Sequence, residues 1–319
     1  MSLTEPSVAY RPFRYPWAYD FWERQQNIHW LPKEISLADD IRDFQKLTPV
    51  MRSLIIMTFR MFVQADIDVQ NCYHRIFQKI FKPTEVQMML AAFSNMETVH
   101  IAAYSHLLDS LGLPEEEYHA FLEYEEMKAK HDFMRNIDPQ SPIEVAKALA
   151  GVSAFGEGLQ LFASFAILFN FPRQNLLKGM GQIVSWSVRD ETLHCEGIMR
   201  LYHAYLHEHP EIDRRKLSRH LEAMCRRVVA AEHKFIDLVF QAGDPPGLKA
   251  AELKQHVESL ADERMRGLGE KNVFEVGRTC IPWVNTMAAG VEHANFFERQ
   301  GTEYSKAATQ GDWGDVFAI

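Results

Sequence analysis

Two stretches of the chain repeat one chemical pattern. Glu97-Thr98-Val99-His100 and Glu191-Thr192-Leu193-His194 each set a carboxylate and an imidazole three residues apart, which is one face of a helix. One such pair alone is weak evidence, because Glu and His meet on helix surfaces by chance. Both copies here lie in apolar surroundings. Phe93, Val99 and Ile101 flank the first; Ile183, Val184, Trp186, Val188 and Leu193 flank the second. A charge buried in such a helix is costly unless it is paired or bound to a metal. A further acid precedes each pair: Asp66, 31 residues before Glu97, and Glu157, 34 residues before Glu191. The order is thus acid, then Glu-x-x-His, twice over, the two-plus-two arrangement of dinuclear carboxylate bundles. Four buried carboxylates without cations repel one another; two divalent ions, with two neutral imidazoles, balance them. Oxygen-rich ligation with one His per ion suits iron or manganese better than a structural zinc, and the lack of an HExxH run argues against a zinc protease. Tyr104 follows His100 by four residues and Glu97 by seven. It shares their helix face, about one turn beyond His100, where an activated metal pair can oxidise its phenol.

Helices must carry these residues. Thr48-Pro49 predicts an N-cap and first helical position, with a helix from there to about Phe81. Thr84 and Gln87 have the spacing of a capping box, and Gly112 is the expected stop of the helix that follows. A short helix is expected over Leu37–Lys46. A charged amphipathic segment covers about Glu115–Asn136. Ser141-Pro142 starts a helix to about Phe171, and three more span about Asn175–Glu208, Glu211–Ala242 and Leu248–Gly267. Strand alternation is scarce. The fold class is therefore all-α: one helical domain over 1–294 with an irregular arm at 1–20. Residues 295–319 read as a flexible C-terminal tail.

Composition narrows the class further. The chain has 319 residues, 47% hydrophobic and 24% charged, with a formal net charge of -9. No Lys/Arg block supports nucleic-acid binding. Cys72, Cys195, Cys225 and Cys280 stand apart without a CxxC pair, which points to a reducing compartment and no disulfide framework. The N-terminal residues lack an apolar signal region, so secretion is not expected. The most apolar run, Leu159 to Phe171, is too short to span a bilayer and reads as a core helix. A cytoplasmic protein without a membrane partner follows.

The set Asp66, Glu97-x-x-His100-x-x-x-Tyr104, Glu157 and Arg189-Asp190-Glu191-x-x-His194 resembles the small (beta) subunit of class I ribonucleotide reductase. The His29-Trp30-Leu31-Pro32 and Ile281-Pro282-Trp283-Val284-Asn285 segments are also similar to stretches of that family. The resemblance implies a ferritin-like bundle with additional helices and a dimetal site in its core. It implies Asp66, Glu97 and His100 on one metal, Glu157, Glu191 and His194 on the other, with some carboxylates bridging. Tyr104 would store a radical. Trp30, Asp190 and His100 would carry the oxidising equivalent outward, and Tyr304 would pass it on. The tail, with Trp313 and Phe317, would dock on the large subunit, where ribonucleotides are reduced to deoxyribonucleotides. Homodimers are implied, as is a diiron–tyrosyl oxidant, with a dimanganese, metal-only oxidant as the alternative. Leu161, Met89 and Phe93 depart from the best-known iron-dependent pattern, while Phe165 keeps an aromatic near the metals. A second-shell carboxylate orients an imidazole ligand, and Asp190 suits His100 in that role; a buried indole N–H needs an acceptor, and Asp190 suits Trp30.

Rival functions share part of this evidence. Another dimetal oxidase or oxygenase would share the ligands without needing Trp30, Tyr304 or a tail. An iron-storing ferritin would form a shell of shorter chains. A helical scaffold leaves six polar residues in register unexplained.

Overall fold

The computed structural model describes residues 2–135 and 137–288. The expected positions Tyr304, Trp313 and Phe317, and the whole tail 295–319, lie outside the described residues.

Helices account for the architecture, and no strand occurs among the described residues. Ten are used below: α1 Pro16–Asn27, α2 Ala38–Lys46, α3 Pro49–Asn71, α4 Thr84–Leu111, α5 Glu125–Arg135, α6 Pro142–Ala150, α7 Leu161–Phe169, α8 Lys178–Glu208, α9 Arg214–Val239 and α10 Ala250–Gly267. The start and stop signals act largely as expected. The Thr48 side chain accepts from the Met51 N–H at 3.3 Å with Pro49 in the first turn. Gly112 ends α4 in the left-handed region at φ 72°, a conformation that costs a glycine little. Asp213 caps α9 through the N–H groups of Arg215 and Lys216.

Several boundaries differ from the sequence expectation. The irregular arm ends sooner than position 20, because α1 begins at Pro16. The arm is also tied down. Leu3 is fully buried, Glu85 accepts from the N–H groups of Arg14 and Tyr15 at 2.7 Å each, and Glu208 accepts from Leu3 N–H at 2.8 Å. Thr84 makes no capping box; Pro83 is the N-cap, and the Gln87 amide turns back to the carbonyls of Gln78 and Phe81. Helix α8 starts at Lys178, since Asn175 and Leu177 adopt positive φ. Residues 115–123 form two 3₁₀ turns ahead of α5.

Two helices widen where chemistry-bearing residues sit. A π-helical turn, Cys72–Phe77, continues α3, and a π-helical stretch, Gly151–Gln160, joins α6 to α7. Such turns break the regular hydrogen-bond ladder and are frequent at functional sites. The Gly158 carbonyl in the longer stretch receives the Arg264 guanidinium at 2.8 Å. A Cβ at Gly158 would lie 2.6 Å from the Ser153 carbonyl oxygen, so no larger residue fits there.

The bundle core forms where α3 packs on α4 and the wide Gly151–Gln160 stretch packs on α8. The segment 142–174 is long and apolar enough to cross a membrane by composition, but 94% of its apolar window is buried inside the protein, as expected of a core helix. The four cysteines are free.

One charge pair lies deep in the core. Lys130 Nζ sits 2.8 Å from Glu232 Oε1 and 4.0 Å from the centre of the Phe235 ring. Breaking such a pair strands a charge without water. Lys130→Met is expected to cost about 3–5 kcal/mol in urea unfolding, and Lys130→Met with Glu232→Leu to recover most of that loss. Equal losses in the single and double variants would show that the stranded charge is not the cause.

Candidate metal centre

Four elements converge on one buried cluster. Asp66 comes from α3, Glu97 and His100 from α4, Glu157 from the wide stretch, and Glu191 and His194 from α8. All six are at most 1% exposed. Their ligand-type atoms fall into two overlapping groups, each with atoms within 4.8 Å of one another: Asp66, Glu97, His100 and Glu191, and Glu97, Glu157, Glu191 and His194. Glu97 and Glu191 belong to both, which gives them the position of bridging carboxylates. His100 Nδ1 lies 3.2 Å from Glu191 and 3.5 Å from Glu97. His194 Nδ1 lies 3.1 Å from Glu97, 3.5 Å from Glu157 and 3.7 Å from Glu191.

The donor set fits two cations. Asp66 Oδ2, both oxygens of Glu97, Glu157 Oε2, Glu191 Oε2 and the Nδ1 atoms of both histidines are buried without hydrogen-bond partners. Native proteins rarely leave so many buried polar atoms unsatisfied in one place. The acid–base balance of the cluster points the same way. Burial raises Asp66 well above the usual carboxylate range and Glu157 to about 8. For Glu191, burial is outweighed by His100 and His194, and its carboxyl falls to about 2. Burial opposes the charged form of both histidines, yet the acids that surround them raise them well above their ordinary value. Without metal, protons must do the balancing that cations otherwise do.

The outward-facing nitrogens are held by a second set of side chains. His100 Nε2 meets Asp190 Oδ2 at 3.2 Å, and Trp30 Nε1 donates to the same oxygen at 2.8 Å. The structure thus places Trp30, Asp190 and His100 in one hydrogen-bonded chain. His194 Nε2 meets Gln25 Oε1 at 3.1 Å, and Gln25 Nε2 donates to Asp190 Oδ1 at 3.3 Å. Gln25, 1% exposed on α1, therefore links both imidazoles through Asp190. Sequence reasoning missed it, since a single Gln in a charged, partly exposed helix carries no signal. Trp186 also lies beside Trp30, ring centres 5.2 Å apart.

Tyr104 is fully buried. Its hydroxyl donates to Ser187 Oγ at 2.9 Å. Phe62 meets its ring edge-on at 4.7 Å, and Phe59 lies 6.0 Å away. Burial raises its phenol far above the ordinary value, so it stays neutral. Phe165 stacks edge-on to Phe62 at 5.2 Å. A second phenol, unread in the sequence, also reaches the cluster: the hydroxyl of fully buried Tyr73 donates to Glu157 Oε1. Its signal was available. Tyr73 follows Asp66 by seven residues, the interval that separates Tyr104 from Glu97.

Comparisons with known proteins agree with this geometry. The family model described as "Ribonucleotide reductase, small chain" matches residues 7–280. The probable ribonucleoside-diphosphate reductase small subunit of Invertebrate iridescent virus 6 is 35% identical, covering 99% of both chains. Among solved structures, the ribonucleotide reductase R2 subunit from Clostridium botulinum is 21% identical, with a TM-score of 0.84 over 90% of this chain and 94% of that one. The dimanganese(II) NrdF of Streptococcus sanguinis is 17% identical, with a TM-score of 0.73 over 89% of this chain and 99% of that one. At those identities the structural likeness is one of fold: a ferritin-like helical bundle.

Proposed function

The chain belongs to the small-chain family of ribonucleotide reductase, and from that premise we propose that it generates and stores the oxidising equivalent for a ribonucleoside-diphosphate reductase. The small chain of this enzyme works with a large subunit, and a dinuclear metal site is its cofactor. Asp66, Glu97, His100, Glu157, Glu191 and His194 would hold two ions, iron in the first reading. When bound, the ions supply the redox power to oxidise a nearby phenol.

The residues of the chain do the rest. Tyr104 would hold the resulting radical in a dry pocket between Phe59 and Phe62. Burial excludes the water and reductants that would quench it. Ser187 Oγ holds the phenol oxygen in place. The His100–Asp190–Trp30 chain gives the oxidising equivalent a hydrogen-bonded route outward. Tyr304 would continue that route, and the tail with Trp313 and Phe317 would dock on the large subunit. A homodimer in the cytoplasm completes the proposal.

The observation that carries this reading is the coincidence of two overlapping ligand groups with a buried phenol and a hydrogen-bonded tryptophan. Reconstitution with ferrous iron and dioxygen is expected to give an organic radical signal in electron paramagnetic resonance, and Tyr104→Phe to abolish it. Gel filtration should give a dimer, and truncation of residues 295–319 should abolish turnover with the large subunit while leaving the radical intact. Activity retained by the truncated chain would favour an independent dimetal oxidase.

A second reading keeps the family and changes the oxidant. It rests on the donor set, which suits manganese as well as iron, and on the fold shared with a dimanganese protein. A metal-centred signal after manganese loading, with no organic radical and no loss on Tyr104→Phe, would select it. Metal content of protein from its native host decides between the two ions.

A further inference from the structure

We propose that Tyr73 is a positioning residue for Glu157: its hydroxyl engages Oε1 and thereby fixes how the carboxylate is presented to the second ion. The inference rests on the dinuclear reading above and concerns how one of its ligands is aimed.

The geometry is specific. Tyr73 sits in the π-helical turn Cys72–Phe77 that continues α3. Its ring is fully buried. Phe93 and His194 each meet it edge-on at 5.9 Å, and Phe77 at 6.3 Å. These contacts leave the hydroxyl pointed at Glu157 Oε1, while Oε2 of the same carboxylate has no partner. Among the described residues no other of the four clustered carboxylates accepts from a hydroxyl. Tyr104, the other phenol at the site, bonds to Ser187 instead.

Chemistry explains what such a contact achieves. A carboxylate has about four lone-pair sites and can swing between one-oxygen and two-oxygen ligation. A hydroxyl donating to a charged oxygen in a water-free interior makes a short, strong bond. That bond occupies one lone pair of Oε1 and fixes the rotation of the carboxyl plane. Glu157 belongs to the second group alone, so the constraint acts on one ion and not on the other. The wide stretch that carries Glu157 lacks the regular ladder of an α-helix. The Tyr73 donor adds a restraint on the carboxylate from outside that stretch.

A simpler account is that Glu157 merely satisfies a buried phenol. The two accounts differ in what the ion feels. Tyr73→Phe keeps the ring and removes only the donor. Manganese(II) would be titrated into chelator-stripped, full-length wild type and variant, with the free-ion signal read by electron paramagnetic resonance. Wild type is expected to take up two ions. In Tyr73→Phe the second ion should bind about 10- to 100-fold more weakly, the first should be unchanged, and the spin-coupled signal of a filled pair should be missing at two equivalents. Phe77→Leu, a packing change four residues along the same turn, should leave both affinities as in wild type. Unchanged binding of both ions to Tyr73→Phe overturns the proposal, and so does an equal loss in Phe77→Leu, which would make packing the cause. Fewer than two ions on the wild type would overturn the dinuclear reading itself.

Discussion

Asp190→Asn is expected to leave metal content and the Tyr104 radical close to normal and to lower turnover with the large subunit about 10- to 100-fold. The carboxylate serves four partners at once. Oδ2 receives the Trp30 indole and meets His100 Nε2; Oδ1 receives Gln25 and stands 3.6 Å from the Arg189 guanidinium. An amide of the same shape keeps one acceptor oxygen and puts an NH₂ where the other was. Either Trp30 and His100 or Gln25 must then face a donor, and the link between imidazole and indole is broken or reversed. None of the six clustered residues is replaced, so the ions and the radical persist. Two measurements on one preparation check this: spin quantitation of the radical, and nucleotide reduction with the large subunit. Full turnover in the variant would remove Asp190 from the route; parallel loss of radical and turnover would instead make it a support of the metal site.

Removing a shared carboxylate should do more damage than removing an unshared one. Glu97 and Glu191 belong to both ligand groups, whereas Asp66 belongs to the first alone. Glu97→Gln and Glu191→Gln are expected to strip the protein of both ions after gel filtration, and Asp66→Asn to lose one. Equal losses in all three would contradict the bridging arrangement. Stripping the metal also has a pH signature with a definite sign. Burial holds Glu157 near 8, above the value of a carboxyl in the unfolded chain, and acts the same way on Asp66. The raised histidines also bind protons more tightly when folded. All four groups therefore favour folding at low pH and lose that contribution as pH rises. Between about pH 5 and 8 the stripped protein should become less stable to heat. Glu191, lowered to about 2, works in the other direction, but its loss occurs below pH 4.5, outside this window. Saturating metal should flatten or reverse the slope, because the ions replace the protons, and metal uptake in weak buffer should release acid.

The cluster of ligand-type residues was legible because ligation imposes residue types at fixed spacing. A Glu and a His three apart on a helix, twice, each after an acid on an earlier helix, leave few alternatives once the surroundings are apolar. The helical fold was legible for a similar reason: caps such as Thr48-Pro49 and the stop at Gly112 act locally. Asp190 entered through the family resemblance, which its place beside Glu191 helped to carry. Gln25 did not, because its partners lie 165 and 169 residues away and nothing in its own helix marks it. Tyr73 stood between these cases, with a visible interval from Asp66 but a partner, Glu157, 84 residues distant.

The amino-acid sequence by itself determined the ligand types, the helices that bear them and the family they resemble, since each of these depends on neighbours within a few turns. Tertiary structure decided which carboxylates fall in both groups, that Glu157 stands on a widened helix, and that Gln25 and Tyr73 hydrogen-bond to His194 and Glu157. Those outcomes depend on how four helices cross, and a crossing is set by packing between residues far apart in the chain, such as Phe93, which lies 4.4 Å from the His194 ring across two helices. Gly197 shows how finely that is balanced: a Cβ there would come within 2.8 Å of the Phe93 ring, so a residue with no side chain at all fixes how closely α4 and α8 bring their histidines together.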